Sequence, residues 1–559
     1  MQAILANGPT RPTDWQAVNW RQVNRRVRNL RRRIFRASQR GDQKTVSRLQ
    51  KLMLRGYSNR LLAVRRVTQL NHGRNTPGID KVVVKTPTAR GKLVDELARY
   101  QPWRALPAKR VYIPKANGKR RPLGIVSIRD RALQAMVKNA LEPAWEARFE
   151  AASYGFRPGR SCHDAMQKIY GLANARSTRP WVLDADIQGA FDNLCQDFLV
   201  AAIGAVPGRD LIRQWLKAGY LEGGVLHPTP TGTGQGAVIS PLLLNVALHG
   251  MEEALGVIHD SQGHLKGSRA LVRYADDLVV FCRSRDDAEQ ARDALRRWLA
   301  QRGLALSEEK TRIVHLTEGF DFLGFTVRQY PVRSTRSGFK LLITPSSESV
   351  CRLKARLREE WLSLRGANAE AVIGRLNPLI RGWAGYPLGA FRRQCASRVF
   401  HDLDYFMWRR ECRYVKRAHP HKPWKWRKRR YWGRFHPDRQ DQWVFGSATT
   451  GHYLLKFAWF GIKRHILVRG RASPDDPALQ EYWRQRASHE AGYLSPSKHR
   501  IARQQGYMCP GCGESLCNGE ELQVHHLVPR HQGGSDAYDN LTLRHLYCHQ
   551  QVHRASHEP

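Results

Sequence analysis

A multidomain α+β protein is what this sequence predicts, on three observations: its length, a central stretch where short β-rich runs alternate with helical ones, and helical patterning on both sides. At 559 residues the chain has room for about three to five domains of roughly 100 to 200 residues each. Hydrophobic residues make up 42% of it, with 16 Trp, so it can bury real cores and is not a disordered basic tail. Lys and Arg number 93 against 48 Asp and Glu, a formal charge of +45. So large an excess repels itself unless a polyanion neutralises it, and the expected polyanion is nucleic acid. The longest apolar stretch, Val238 to Leu248, is broken by Ser240, Pro241 and Asn245 and falls well short of the roughly 18 residues of a membrane span. Residues 1–20 lack an apolar signal core. No membrane partner is expected, and the compartment predicted is a bacterial cytoplasm, nucleoid-associated when the protein is on DNA, with an organelle left open.

Residues 1–66 hold 17 Lys and Arg against Asp14 and Asp42 alone, while Val23, Val27, Leu30 and Ile34 keep a helical period that continues through Val46, Leu49 and Met53. This reads as basic amphipathic helices, the alternatives being a solvated face or a transit peptide. From about 100 to 330, β-rich runs (Arg110 to Pro114, Trp181 to Ile187, Leu271 to Phe281) are separated by helical stretches such as Asp287 to Leu299. Residues 345–435 read as helices. They end in Tyr405 to Phe435, where twelve Lys and Arg face one acid, Glu411, and are interleaved with Trp408, Tyr414, Trp424, Trp426, Tyr431 and Trp432. Cations for phosphate and flat rings for bases or riboses are there combined. RASPDDP, 471–477, reads as a linker before a Cys/His-rich end.

LVRYADDLVVF, 271–281, is β-branched on both sides of Asp276 and Asp277. Neighbouring residues of a flat strand face opposite ways, so two adjacent acids serve one site only at a tight turn such as a hairpin tip. WVLDADIQGAFDN, 181–193, offers a second strand whose far end carries Asp186. Clustered carboxylates raise one another's pKa unless cations neutralise them. Two Mg²⁺ ions about 3.5 to 4 Å apart would meet that need and suit in-line attack by a 3′-hydroxyl with release of pyrophosphate. Taken alone, the Asp-Asp pair could instead be a simple hairpin turn.

The neighbouring segments decide between these. In order they are YIPKANGKRRPLGIVSIRDRALQ (112–134), SYGFRPGRSCHDA (153–165), DIQGAFDN (186–193), TGTGQGAVISPLLLN (231–245), RYADDLVVF (273–281), LSEEKTRI (306–313) and FDFLGF (320–325). The series resembles the ordered blocks of the reverse transcriptases encoded by group II introns. The resemblance implies a right-hand polymerase, with fingers and palm followed by a helical thumb. Asp186, Asp276 and Asp277 match the family's metal-binding carboxylates. Phe191 matches an aromatic steric gate against a 2′-hydroxyl, with plain core packing as the alternative. Arg110, Lys115 and Arg121, on a basic strand pair around a turn at Asn117-Gly118, match finger residues that clamp the dNTP triphosphate, although any of them could hold template instead. Gln235 lies in a Gly-rich loop beside the nascent base pair; relatives often carry Pro at the place of Gly234 and Gly at that of Ala237. Lys310 would assist the leaving pyrophosphate or be a solvated charge. RLNPLIRGWAGY (375–386) through Phe435 resembles the thumb, or maturase domain, that grips intron RNA, and residues around 455–500 resemble the family's DNA-binding region.

At the C-terminus, Cys509-x₂-Cys512 and His545-x₂-Cys548 have the spacing of a closed tetrahedral Zn²⁺ site that supplies folding energy. Relatives often have Cys in place of His545. His549 and His553, at i and i+4, share one helix face and with His525 could hold a divalent ion, leaving His526 to deprotonate water. The whole resembles an HNH nuclease of the ββα-metal type, in which Asn540 would orient the loop holding His526. A zinc finger that only binds DNA would leave His526, Asn540, His549 and His553 without a role.

The expected organisation is therefore a basic helical RNA-binding extension over 1–70, reverse transcriptase fingers and palm over 71–335, thumb or maturase domain over 336–440, DNA-binding region over 441–500 and zinc-stapled HNH module over 501–559. The expected function is RNA-directed DNA polymerase, splicing maturase and DNA endonuclease in intron mobility by target-primed reverse transcription. Expected partners are group II intron RNA, target DNA and dNTPs. The rivals are a splicing maturase or RNA chaperone with little polymerase activity, and a reverse transcriptase of a defence or diversity-generating system.

Overall fold

The computed structural model describes residues 12–99, 103–114, 118, 120–174, 177–260, 265–335, 337–385, 396–461, 465–492 and 494–555. The basic start folds into helices Trp20–Gln39, Gln43–Arg55 and Tyr57–Arg65. Asn19 and Asp42 cap the first two, accepting from the backbone N–H of Gln22 at 3.0 Å and Thr45 at 2.9 Å. Val27, Ile34, Val46, Leu49 and Met53, the apolar period of the sequence, are buried with Ala140 and Ala144 of the long helix Ile128–Glu146. Arg21, Arg25, Arg26, Arg33 and Arg36 are left on the exposed face.

The central region holds three of the sheets. β1 (Ala108–Pro114) and β2 (Arg120–Ile125) are an antiparallel pair. β3 (Trp181–Asp186) belongs to a second sheet, while β4 (Tyr220–Glu222) and β5 (Val225–His227) extend the first in the order β2-β1-β4-β5, with β4 parallel to β1. The sequence run 271–281 splits into β6 (Ala270–Tyr274) and β7 (Asp277–Cys282), which with β3 and β8 (Arg312–His315) form an antiparallel sheet ordered β6-β7-β3-β8. Both faces of this sheet are covered. Leu183, Ala185, Leu271, Leu278 and Val280 enter one core, and Val182, Val272, Val279 and Phe281 enter the other. Alternate side chains pointing to two buried faces explain why these strands read as nearly continuous apolar runs. β9 (Phe320–Phe322), β10 (Phe325–Pro331) and β11 (Phe339–Pro345) make the third sheet.

Helices Ser347–Ser363, Ala369–Gly385, Ala396–Ala418 and Trp424–Tyr431 follow, sharing the core of β9–β11. Short strands β12 (Trp432–Gly433) and β13 (Val444–Phe445) pair behind them. The expected linker at 471–477 is not one. Ala472, Ser473 and Asp475 are buried, Arg160 donates to the carbonyl of Gly470 at 2.7 Å, and Arg31 holds Asp475 through two bonds of 2.8 and 2.6 Å. Its Ser, Pro and Asp residues make turns against the body of the protein rather than a tether. After helices Gln480–Ala491 and Pro496–Gln504, β14 (Leu522–His526) pairs with β15 (Leu541–His545), and helix Leu546–Ala555 closes the described chain. Among the described residues no helix is long and apolar enough to cross a membrane.

Candidate active sites and metal centre

Strand register builds the first site. Asp186, the last residue of β3, lies directly opposite Asp277, the first of β7, and Tyr274 opposite Asp277 makes Ala275-Asp276 the two-residue tip of the β6–β7 hairpin. Ala275 adopts φ +60°, unusual for a residue with a side chain. The tip is held from behind. Arg273, fully buried, donates to Asn245 Oδ1 at 3.1 Å and to the Ala275 carbonyl at 3.2 Å, and Asn245 in turn donates to the Gly155 carbonyl at 2.9 Å. A Cβ on Gly155 would meet the Ala275 nitrogen at 2.4 Å, so only glycine lets the two backbones pass. Sequence reasoning missed this buttress, although an Arg in the middle of an apolar strand was its signal.

Desolvation at the crowded site, then the charges of Asp276 and Asp186, push Asp277 up to about 7. Asp276 is raised by desolvation and by Asp186. Lys310, whose side chain is largely exposed, is ion-paired with Asp186. Asp184, two residues back along β3, is also raised, to about 6 by desolvation, against the opposing pull of Arg312 at 3.0 Å. Asp184, Asp186, Asp277 and Lys310 border a cleft of about 340 Å³ with Asp321 and Leu323.

A second cleft, about 330 Å³, lies against the first sheet and gathers Arg110, Phe191 and Gln235 with Asp192 and Tyr220. The Arg110 guanidinium sits 3.7 Å from the Tyr220 ring centre. Arg121 donates to Gln235 Oε1 at 2.9 Å, and Gln235 Nε2 donates to Asp192 Oδ2 at 3.0 Å, which fixes the amide's orientation. The Arg121 charge also partly offsets the rise in the Asp276 pKa. Phe191 is buried apart from its place in the cleft wall, edge-on to Phe156 at 6.2 Å. Lys115 lies outside the described residues.

In the C-terminal module the structure brings together two separate sets of side chains. The donor atoms of Cys509, Cys512, His545 and Cys548 all lie within 4.8 Å of one another, and all four residues are buried. His545 Nδ1 is 3.2 Å from Cys512 Sγ while its Nε2 faces the Ser515 carbonyl at 3.2 Å, so one nitrogen points into the cluster and the other is held by backbone. Cys517 stands apart, its Sγ 3.7 Å from the Ala487 carbonyl. The cluster's outer partners come from the other end of the chain. Arg65 donates to Cys548 Sγ at 3.3 Å, Asn24 to the Cys512 carbonyl at 2.9 Å and Arg28 to the Gly513 carbonyl at 3.0 Å.

His525, His549 and His553 form the second set, also within 4.8 Å. Burial, Arg544 and the other two imidazoles push His525 down to about 4, leaving it neutral as a metal ligand must be. His526 points the other way on β14, and its Nε2 lies 2.8 Å from Asp536 Oδ1. Arg530 clamps the same carboxylate at 2.7 and 2.8 Å. Asn540 donates to the carbonyls of Val528 (3.0 Å) and Ser535 (2.8 Å) and accepts from the Val528 N–H (2.8 Å), tying the loop that follows His526. Asp536 was missed because nothing in an Asp ten residues downstream marks it as the partner of His526.

Four family models match this chain. They are reverse transcriptase (RNA-dependent DNA polymerase) over residues 113–327, the N-terminal domain of reverse transcriptase over 15–97, a group II intron maturase-specific domain over 350–432 and an HNH endonuclease over 509–555. Protein YkfC of Escherichia coli (strain K12) is 36% identical over 298 residues, 46% of this chain and 77% of that protein. The group II intron-encoded protein LtrA of Lactococcus lactis subsp. cremoris is 32% identical over 284 residues, covering 40% of this chain and 47% of LtrA. A 91 kDa protein in the cob intron of Schizosaccharomyces pombe is 27% identical over 397 residues, 56% of this chain and 48% of that one. The match thus spans less than half the length of the latter two relatives.

Proposed function

The chain belongs to the group II intron-encoded reverse transcriptases that carry a maturase domain and an HNH endonuclease, and on that premise we propose how its residues divide the work. The palm copies RNA into DNA. Asp186, Asp276 and Asp277 fit two Mg²⁺ ions: the carboxylates converge at one sheet end, and two of them are raised in pKa by desolvation and by the neighbouring carboxylates. Bound there, the metal would activate a primer 3′-hydroxyl and neutralise the departing pyrophosphate. Arg110, Arg121 and Lys115 hold the dNTP triphosphate, Phe191 excludes a 2′-hydroxyl, and Gln235, its amide fixed by Arg121 and Asp192, meets the nascent base pair. Lys310 offers its proton to the leaving group. The helices from Ser347 to Tyr431 act as thumb, and their basic and aromatic surface grips intron RNA for splicing.

β14, β15 and the last helix act as a ββα-metal nuclease. His525, His549 and His553 hold one divalent ion, which would stabilise the departing 3′-oxygen. Asp536 accepts from His526 Nε2, which leaves Nδ1 with the lone pair that takes a proton from water. Cys509, Cys512, His545 and Cys548 hold a structural Zn²⁺. The boundaries 1–70, 71–335, 336–440, 441–500 and 501–559 belong to the same proposal, as does the course of insertion, in which intron RNA enters one DNA strand, the HNH module nicks the other, and the palm extends the new end.

The observation that carries this reading is the pairing of Asp186 with Asp277 beside the turn bearing Asp276. Primer extension on an RNA template with Mg²⁺ and dNTPs tests it. Asp276→Ala should lose extension by roughly a thousandfold, several kcal/mol of transition-state stabilisation, while DNA nicking survives. His526→Ala should do the reverse, losing about 10²- to 10⁴-fold in nicking. Extension at the wild-type rate in Asp276→Ala would remove the residue from the site.

A further inference from the structure

The HNH module is docked on the first helix of the chain, and the seam between them is a basic groove. Its volume is about 720 Å³, and it is lined on one side by Arg21, Arg25 and Arg28 with Asn19 and Gln22, on the other by Gln505, Met508, Pro510 and Gly513. Arg21, Arg25 and Arg28 follow one face of helix Trp20–Gln39 at helical spacing. Arg28 is used to dock the module, through the Gly513 carbonyl and Glu514. Arg21 and Arg25 are exposed and make no ion pair among the described residues. Asn24, on the same helix, donates to the Cys512 carbonyl beside the other bank, and Arg65, at the end of helix Tyr57–Arg65, ties Cys548 of the module down as well, so the groove has a fixed shape rather than being a chance gap.

The groove also leads somewhere. Gln505, on its wall, accepts from the Leu543 N–H at 2.8 Å and donates to the Leu543 carbonyl at 2.9 Å. Leu543 belongs to β15, whose residues Thr542 and Leu541 pair with His525 and His526. Helix Pro496–Gln504 runs along this path with Lys498, Arg500 and Arg503, and Arg500 lies 4.3 Å from the ring centre of Tyr538, beside Asn540. Exposed cations thus continue from the groove wall at Gln505 along this helix to Tyr538, two residues before Asn540. We infer that this groove takes the phosphate backbone of the DNA duplex that the HNH module cuts, so that the outer face of the first helix, expected from sequence to serve RNA, is part of the nuclease's DNA-binding track. The identity of the ligand rests on the HNH reading above; the groove and its charge do not.

The test measures binding rather than cleavage. Fluorescence anisotropy with a labelled random-sequence DNA duplex, titrated over a range of salt, should show Arg21→Glu/Arg25→Glu weakened by roughly tenfold or more, with a log–log salt slope shallower by about 2. Arg21→Lys/Arg25→Lys should restore binding, because phosphate contacts need charge rather than a fork. Thermal melting confirms that both variants are folded. In parallel, a labelled structured RNA should lose less affinity than the duplex. Unchanged duplex binding by the Glu variant, or an equal or larger loss on RNA, overturns the inference. Absence of nicking by the wild-type protein would sink the nuclease reading while leaving the binding result to judge the groove.

Discussion

The sheet β6-β7-β3-β8 and the C-terminal module both gather ionisable side chains, by opposite routes. In the sheet the partners are far apart in sequence, and antiparallel strands buried on both faces fix their register. A one-residue slip would turn every side chain of a strand to the other face, so the position of Asp186 against Asp277 is set by the whole core. In the C-terminal module the histidines come from one short strand pair and one helix, yet the cluster beneath them is completed by Arg65, Asn24 and Arg28 from the N-terminal helices. A site made of distant residues is therefore internally supported, whereas one made of neighbours depends on a distant prop.

The largest effect follows from breaking the Cys/His cluster, where the proposed function places a structural Zn²⁺. Small zinc modules draw about 10 to 16 kcal/mol of folding free energy from the ion, so Cys512→Ser should unfold the HNH module outright and abolish nicking. Because Asn24 and Arg28 bond to backbone of the same cluster, amide exchange should also quicken across the helix Trp20–Gln39, while the β3–β7 pair stays protected. Exchange mass spectrometry reads both regions at once. Equal protection of that helix in wild type and variant would mean that the two ends of the chain are energetically independent.

That dependence also marks where the sequence stops being readable. The acids, the Cys/His spacing and the order of the blocks are local signals, because chemistry fixes residue type at short range. The hairpin tip was legible from Asp276 and Asp277 alone, since adjacent acids need a turn to share a site. What was not legible was pairing at a distance: Arg273 with Asn245 and Gly155 behind the tip, Asp536 with His526, and residues near the start of the chain against the Cys/His cluster near its end. None of these partners carries a motif of its own, and each is chosen by the fold. The segment 471–477 failed for the same reason, because its turn-forming composition is the same whether the turns face solvent or a buried aspartate.

A second contrast, between carboxylates, separates a site from a merely buried acid. Asp277 and Glu411 are both raised to about 7, and for both the leading cause is desolvation. Around Asp277 the next causes are Asp276 and Asp186, which a cation relieves; Glu411 is instead enclosed, with the Trp432 indole N–H donating to it at 3.0 Å. For Glu411 the folded pKa lies above the unfolded value near 4.5, so between these limits the folded chain holds the extra proton. Stability is then fully present below about 4.5 and falls as pH rises through 7, by about 3 kcal/mol in total. Glu411→Gln should keep the bond to Trp432, flatten that slope and be the more stable protein at pH 8, as read by melting curves across pH. Mg²⁺ should leave this titration where it is and tighten its own binding as pH rises through about 7, as Asp277 gives up its competing proton. A Glu411 titration that moves with Mg²⁺ would erase the distinction.

The smallest expected effect probes how firmly the nuclease loop is held. Asn540 makes three bonds to the backbone of Val528 and Ser535, and a Cβ on Gly534 would strike the Val528 carbonyl at 1.8 Å, so the loop after His526 is closed on itself. Asn540→Ala removes those bonds from a partly exposed loop where water replaces some of them, a cost of about 1 to 2 kcal/mol. The strand pair and the three-histidine cluster do not depend on Asn540, so divalent-ion binding should hold. His526 would lose its orientation relative to Asp536, and nicking should slow roughly tenfold in kcat with KM for the duplex little changed. A rise in KM at constant kcat would instead place Asn540 in DNA contact, and the loop's closure would then serve binding rather than the alignment of the base.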